Sequence, residues 1–351
     1  MRRALCALVV LGLLAAGCTR QQEEPAATPP PSPTEAPSPE PPPVAPLTGE
    51  ELDEAIERVV LAVKIDNANA ALPPKGIEHA DVVIEEEVEG GITRLLALFH
   101  SQVPEETGPV RSGREVDVDL LPAFQAPIAL SGAANVVDRM FERAGVRVME
   151  DDNHMDAFYR ADDRVAPHDL MLNPQPLWDV AAEEELPVLT EQAFAFDEET
   201  PDGGNDVSEA HLVFSPFANA TWVWDGGEQR FKRQQNATDH ATADGDTVSS
   251  DNVVIMRVEK TPGSRTDAAG TPTVELEVIG RGQMLLLRDG EVFRGRWRKP
   301  SREDQIEFLD REGDPLPLRP GQTWIELLPT DADLDITGRD SNDETESPLD
   351  S

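Results

Sequence analysis

The chain has 351 residues and a formal net charge of −38, from 68 acidic and 30 basic side chains. So acidic a surface repels phosphate backbones, which excludes nucleic acid as a partner. Both cysteines, Cys6 and Cys18, lie near the N-terminus.

The N-terminus is typical of a lipoprotein signal peptide over residues 1–17. Two arginines precede an apolar run, and Ala-Ala-Gly leads directly into Cys18. In such a lipobox the thiol is diacylated and the cysteine becomes the new N-terminus, whereas an ordinary cleavage site needs no cysteine there. The apolar run is shorter than the roughly 20 residues of a membrane span. We therefore expect a chain held by lipid on the extracytoplasmic face of the cell membrane, with no thiol left for a disulfide or a metal.

Composition divides the mature chain into four segments. Residues 18–46 carry the lipidated cysteine and a proline-rich stretch, which favours an extended spacer. Residues 331–351 are dominated by acidic and small polar side chains, which predicts a disordered tail. The composition between them changes near Pro201–Asp206, so we predict one domain over 47–203 and a second over 207–330.

The first domain has an α/β (α+β) pattern with a mixed sheet. Its apolar runs predict strands and its helical spacing predicts helices. The strands are Val60–Asp66, Val82–Glu89, Ile92–His100 and Ile128–Ser131, and the helices are Ser112–Leu121 and Asn135–Ala144.

The second domain is mostly β, and its short strands predict a small barrel or sandwich. The strands are Thr221–Trp224, Gln229–Arg233, Val253–Val258, Thr273–Ile279, Met284–Arg288, Val292–Trp297 and Trp324–Leu328. Asp289-Gly290 predicts a hairpin turn. The tryptophans of this domain are either a stacking surface for sugars or peptides or part of the core. They are Trp222, Trp224, Trp297 and Trp324.

A predicted hairpin in the first domain carries a dense group of charges. If Gly90-Gly91 is a two-residue loop, Glu87 faces Arg94, and Glu85, Glu87 and Glu89 share one side of their strand. These groups form either a site for an anion and a hard cation such as calcium or magnesium, or a solvated ion pair. The apolar strand after the loop is predicted to be central, so Arg94 is expected to be half-buried and to need a carboxylate or a ligand.

A second charged group stands where a loop enters the first helix. Arg111, Ser112, Arg114 and Asp117 combine guanidinium groups with the free amides of a helix start, which favours binding of a phosphate or carboxylate. The alternative, compatible with the first, is that Ser112 caps the helix together with Glu115.

Further candidates lie at the end of the first strand and in a later loop. Lys64, Asp66 and Asn67 stand where α/β sheets commonly present ligand contacts, although a strand-end turn explains them equally. His168 follows a proline and is the histidine best placed for a site. The alternative is a purely structural role. The other histidines lack HxH or HExxH spacing, and no GxSxG, Walker or Rossmann pattern occurs. No cofactor is predicted, although binding of a divalent cation by the carboxylates remains an alternative.

Several separated motifs resemble the YerB-like bacterial lipoproteins. They are Ala62–Asn67, Ala80–Val83, Glu85–Arg94, Gly108–Arg114, Ala166–Leu170, Gly290–Trp297 and Pro320–Trp324. They recur in order across residues 47–329, with one departure at Asp169, where the family pattern has asparagine. The resemblance implies a two-domain envelope lipoprotein and assigns no reaction.

Three functions follow from these observations. The leading hypothesis is a non-catalytic envelope lipoprotein whose first domain binds an anionic ligand or an envelope protein partner. The alternative is an enzyme acting on a phosphate-linked lipid or cell-wall polymer, with arginines gripping phosphate and Glu85, Glu87 or Asp117 holding a cation. A wall-binding module with exposed tryptophans is the third. An enzyme requires the arginines and carboxylates to converge on one pocket.

Overall fold

A computed structural model describes residues 42–266 and 270–338. The predicted signal peptide, the lipidation site Cys18, most of the spacer and the end of the acidic tail lie outside the described residues. Residues of both predicted domains fall in one compact unit that begins at Pro42.

The first half of the unit alternates short strands with three α-helices. Its elements are β1 (Leu61–Asp66), β2 (Val82–Glu87), β3 (Thr93–Phe99), α1 (Glu115–Phe124), β4 (Ile128–Leu130), α2 (Asn135–Ala144), β5 (Val148–Glu150), β6 (Phe158–Arg160), β7 (Leu170–Leu172) and α3 (Gln175–Glu183). Helix α2 has the predicted bounds, whereas α1 starts three residues later than predicted because Ser112 is not its cap. Single 3₁₀ turns occur at Asn69–Ala71, Ile77–His79 and Glu89–Gly91.

The second half is built of strands. They are β8 (Asn205–Asp206), β9 (Glu209–Ser215), β10 (Ala218–Asp225), β11 (Arg230–Gln235), β12 (Thr238–Asp239), β13 (Ser249–Ser250), β14 (Asn252–Thr266), β15 (Pro272–Glu277), β16 (Gly280–Arg288), β17 (Glu291–Lys299), β18 (Glu307–Leu309), β19 (Thr323–Pro329) and β20 (Asp333–Thr337). The predicted hairpin turn is confirmed, since Asp289 and Gly290 have φ of 54° and 74°, the left-handed values that a tight turn requires.

A single mixed sheet of twelve strands runs through both halves. Its main path is β18-β17-β16-β14-β19-β2-β3-β1-β4-β5, with β15 on β14 and β8 on β17. The junction is β19, which pairs in parallel with β14 on one side and with β2 on the other. Strands β1, β2, β4 and β19 therefore end at the same edge, which we call the carboxyl edge.

The large sheet lies between two layers. On one face, α1 and α2 cover residues such as Ala62, Ile84 and Leu96. On the other face, α3 and a second sheet of order β12-β11-β10-β9-β20 cover residues such as Val63 and Leu95. The predicted α/β (α+β) first half and mostly β second half are confirmed, and the second half resembles a sandwich more than a barrel.

The folded unit extends beyond both predicted ends. Residues 42–46, assigned to the spacer, already belong to the folded unit. Ala45 is 1% exposed, and the carbonyl of Pro46 accepts a hydrogen bond from the amide of Ala193 at 2.9 Å. The predicted tail begins too early, since residues 333–337 form β20 on β9. Leu334 is buried between exposed aspartates, the alternation of a half-buried strand.

Candidate functional site

The β2–β3 hairpin has a register one residue away from the predicted one. Glu86 lies opposite Arg94, and Glu87 lies opposite Thr93. The loop contains three residues, because Glu89 joins the two glycines, whose φ values of 80° and 70° make the turn. A slip of one residue exchanges the faces of a strand, so the predicted pairing of Glu87 with Arg94 is wrong.

Lys64 is engaged in a closed buried triad on the helix-covered face. Its ammonium nitrogen lies 2.6 Å from Glu86 Oε1 and 2.7 Å from Asp117 Oδ1, and all three side chains are 0% exposed. Burial and the neighbouring Asp117 carboxylate together raise the pKa of Glu86 to about 7, although Lys64 opposes both. Glu86 was not among the predicted candidates, because a run of consecutive glutamates does not indicate which carboxylate faces inward. The triad ties β1, β2 and α1 together.

The start of α1 is stabilised by Asp117 and not by Ser112. Helix α1 begins at Glu115, and Asp117 Oδ2 accepts a hydrogen bond from the backbone amide of Arg114 at 2.7 Å. The predicted Ser112–Glu115 capping box is therefore wrong. Because Ser112 lies outside the helix, its carbonyl oxygen is free to accept from the guanidinium groups described next.

Three arginines meet at the carboxyl edge, beside the end of β1. Arg94 is 5% exposed, donates from Nη1 to the carbonyl of Ser112 at 2.7 Å, and has no partner for its Nε. Arg114 donates to the same carbonyl and pairs with Glu89 Oε2 at 2.6 Å. Burial, together with the nearby charges of Arg114 and Arg111, lowers the pKa of Arg94 to about 10. We call Arg94, Arg111 and Arg114 the arginine cluster.

Asp66 joins the arginine cluster to His168. Its Oδ2 lies 3.1 Å from Arg111 Nε and 2.7 Å from His168 Nδ1. Both predicted candidates, Arg111 and His168, keep 22% of their side chains exposed, whereas the carboxylate between them is 2% exposed. The structure thus brings His168 to the arginines, although they lie far apart in the chain. Asp169, the departure from the family pattern, pairs instead with Arg160 at 2.6 Å.

A cleft of about 530 Å³ opens beside the arginine cluster. Arg114 and Glu89 line it, together with the loops that enter α1 and α2. No side chain caps the first turn of α2, whose N-cap is Ala134, so its leading amides lack the usual side-chain acceptor. Helix starts carry a partial positive charge. The cleft therefore combines amide and guanidinium donors in a form suited to an anion.

Two further predicted candidates lie away from this cleft. Glu85 projects from the opposite face of β2 and pairs with Arg233, both almost fully buried. Glu87 pairs with Lys260 at 2.9 Å. The carboxylates proposed to hold a cation, Glu85, Glu87 and Asp117, are therefore not gathered in one pocket. Among the described residues, no group of three or more His, Cys, Asp or Glu side chains is placed to hold a metal ion.

The ion pair of Arg233 belongs to a buried polar cluster between the two sheets. The Arg233 guanidinium carbon lies 5.1 Å from the centre of the Trp324 ring and 5.9 Å from that of Trp222. Trp222 Nε1 donates to Glu326 Oε1 at 2.7 Å. Burial raises the pKa of Glu326 well above its usual value, and the adjacent Glu85 carboxylate adds to this.

The tryptophans do not form a stacking surface. Trp222 and Trp324 are 0% exposed and Trp297 is 2% exposed, while Trp224 is half-buried against the core. The hypothesis of a wall-binding module with exposed tryptophans is therefore wrong. Trp222, Trp224 and Trp324 lie in or against the core between the two sheets, and Trp297 lies in the core on the helix-covered face. A strand pattern alone cannot distinguish such burial from one solvent-facing side.

Comparison with known proteins identifies the family. Residues 47–187 match the family model described as "Protein of unknown function (DUF3048) N-terminal domain", and residues 210–325 match the corresponding C-terminal domain. The chain is 31% identical over 305 residues to "Putative lipoprotein YerB" of Bacillus subtilis (strain 168), covering 83% of this chain and 87% of that protein.

A solved structure agrees with this result. The crystal structure of the YerB protein from Bacillus subtilis matches with a TM-score of 0.71 and 26% identity, over 83% of this chain and 99% of that one. The two matched regions flank the predicted domain boundary, although their strands share one sheet. No helix within the described residues is long and apolar enough to cross a membrane. The chain belongs to the DUF3048 family of YerB-like lipoproteins, as its separated motifs predicted.

Proposed function

We propose that this lipoprotein is anchored through Cys18 on the extracytoplasmic face of the membrane and binds an anionic ligand at its arginine cluster. The lipobox supports the anchoring, and the kinship with a protein named as a lipoprotein agrees with it. The ligand presents a phosphate or carboxylate group, either as a small molecule or on an envelope partner.

The incomplete bonding of Arg94 carries this proposal. A buried guanidinium costs free energy unless its donors are satisfied, and Arg94 Nε has no partner. Arg114 is the member of the arginine cluster that lines the cleft, so an anion there would form charge-assisted bonds with it and would stabilise the charge of the neighbouring Arg94.

The local charge favours the same ligand. Three guanidinium groups face two carboxylates, Asp66 and Glu89, at this edge. The paired Arg265 and Glu115, which also line the cleft, add no net charge. The rest of the chain is strongly acidic, with a net charge of −38. A positive spot on so acidic a protein concentrates an anion that the remaining surface repels.

Binding is better supported than catalysis. The enzyme hypothesis needs carboxylates beside the arginines to hold a cation, yet Glu85 lies on the other face of the sheet and Asp117 is closed in the triad with Lys64. Convergence on one pocket was the requirement for an enzyme, and of the arginine cluster only Arg114 lines the cleft.

Isothermal titration of the full chain with pyrophosphate and with citrate tests the proposal and separates phosphate from carboxylate ligands. We expect one of them to bind, and Arg94→Gln or Arg111→Gln to weaken binding about tenfold to a hundredfold. Arg147→Gln is the matched control, because Arg147 is 39% exposed and pairs with Glu184 away from the cleft. Absence of binding by either anion, or equal loss in the control, would overturn the proposal.

A further inference from the structure

A second cleft, of about 420 Å³, opens on the other side of the β2–β3 loop. Glu89 lines the arginine cleft, whereas Gly90 and Ile92 line this one. The ten described residues of its wall are all uncharged, in a chain of which 28% is charged. Four of the ten carry side-chain amides. They are Asn67, Asn69, Gln235 and Asn236.

Asn67 lies at the base of this cleft with its amide group held in one orientation. It is 2% exposed, and its Nδ2 donates to Glu85 Oε1 at 3.0 Å and to Thr93 Oγ1 at 2.8 Å. Because both acceptors fix the nitrogen, the oxygen orientation is fixed too. Asn67 Oδ1 has no partner among the described residues. A buried acceptor without a donor is costly, and a ligand hydroxyl would satisfy it.

Gln235 is held in the same way by the buried polar cluster. Its Oε1 accepts from Arg233 Nη1 at 2.9 Å, and its Nε2 donates to the carbonyl of Asn67 at 2.7 Å. Glu85 orients the amide of Asn67, and Arg233 orients the amide of Gln235. The ion pair between Arg233 and Glu85 therefore fixes both amides. Rigidly held polar groups of this kind are typical of binding sites, because their order is established before the ligand arrives.

The rim of the cleft presents an exposed aromatic ring. Phe217 is 69% exposed and lines the cleft from the turn between β9 and β10. Ser215 holds this turn, since its Oγ accepts from the Phe217 amide at 2.9 Å and donates to the Gly91 carbonyl. Opposite, Asn236 Nδ2 donates to Asn69 Oδ1 at 2.8 Å. The wall of the cleft thus combines an exposed aromatic ring with side-chain amides.

We propose that this second cleft binds an uncharged carbohydrate. Hydroxyl groups both donate and accept, which suits oriented amides, and the apolar face of a sugar ring packs on an aromatic ring. The volume lies within the usual range for small-ligand sites. The wall offers no charge for a charged group. The site is separate from the arginine cluster and does not depend on the function proposed for it.

Titration of the full chain with two trisaccharides, one of N-acetylglucosamine and one of glucose, tests this site. We expect at least one to bind in the millimolar range or tighter and to shift the side-chain amide NMR signals of Asn67 and Gln235. Phe217→Ala should weaken binding about fivefold to tenfold, and Phe217→Trp should retain it. Phe217 is on the surface, so both variants keep the fold.

Two matched variants make the result specific. Met155→Ala truncates another exposed apolar side chain, 77% exposed, and should leave sugar binding unchanged. Arg94→Gln should also leave it unchanged, so that failure of the anion site and failure of this site are distinguishable. Absence of binding by both trisaccharides, or an unaltered affinity in Phe217→Ala, would overturn the inference.

Discussion

Replacement of Lys64 by methionine should strongly destabilise the protein. The ammonium lies 2.6 Å from Glu86 and 2.7 Å from Asp117, and no member of the triad is exposed. Removing one partner of a buried ion pair costs about 3–5 kcal/mol, because the remaining charge stays buried. That is a large part of the roughly 5–15 kcal/mol that stabilises a typical native domain.

The loss of stability caused by Lys64→Met should depend on pH in a defined direction. In the native chain Glu86 has a pKa raised from 4.5 to about 7, so the folded state binds a proton in this window that the unfolded state has released. The associated stability is present below about pH 4.5 and is lost as the pH rises through about 7. Without Lys64 only the weaker influence of the Arg114 charge opposes burial, so the pKa of Glu86 rises further and the loss extends to higher pH.

Urea unfolding followed by circular dichroism measures this effect. We expect the Lys64→Met deficit in the free energy of unfolding to be larger at about pH 8 than at about pH 5. Arg147→Gln, which breaks the exposed pair with Glu184, should cost at most about 1 kcal/mol at either pH. A Lys64→Met deficit no larger than that of Arg147→Gln would refute the reasoning.

Three more predictions use the same unfolding assay. Glu326→Gln should cost less than Glu85→Gln, because burial raises the pKa of Glu326 well above its usual value and so favours the neutral form. Glu85→Gln should cost about 3–5 kcal/mol by leaving a buried guanidinium unpaired. Equal costs would contradict this. Burial lowers the pKa of His100 from 6.5 to about 4, so stability should fall as the pH drops through this window, and His100→Gln should remove that fall. Gly282→Ala should cost about 1–3 kcal/mol, because the added Cβ would lie 2.5 Å from Trp297 Nε1. Gly226→Ala should be tolerated, because its Cβ would lie 3.6 Å from the nearest atom, Trp224 Nε1.

Local patterns determined the elements that the sequence predicted well. The bounds of α2 follow from its apolar face and from Gly145, whose φ of 72° ends the helix. The turn at Asp289-Gly290 follows from the residues that left-handed backbone favours. Both signals lie within a few residues of the structure they specify.

Long-range pairing could not be derived in this way. Strand β19 pairs with β2 so that Glu326 lies beside Glu85, although most of the chain separates them. No local periodicity indicates that the two halves share a sheet. The predicted register of the β2–β3 hairpin was wrong for a local reason. Glu89 belongs to the loop, which shifts the pairing of every residue in the hairpin by one position.

The candidate site was predicted in part. Arg94, Arg111 and Arg114 were each singled out from the sequence, and the structure brings them together with Asp66 and His168. Which carboxylates accompany them depends on which face of β2 each one occupies, and that required the register.

Crystals of the chain soaked in selenate, an anion with an anomalous scattering signal, give the most direct test of anion binding at the arginine cluster. We predict an anomalous peak about 3–4 Å from the guanidinium groups of Arg94 and Arg111, which is lost in Arg94→Gln crystals. A peak that persists in that variant, or selenate bound elsewhere with none at the arginine cluster, would contradict the account.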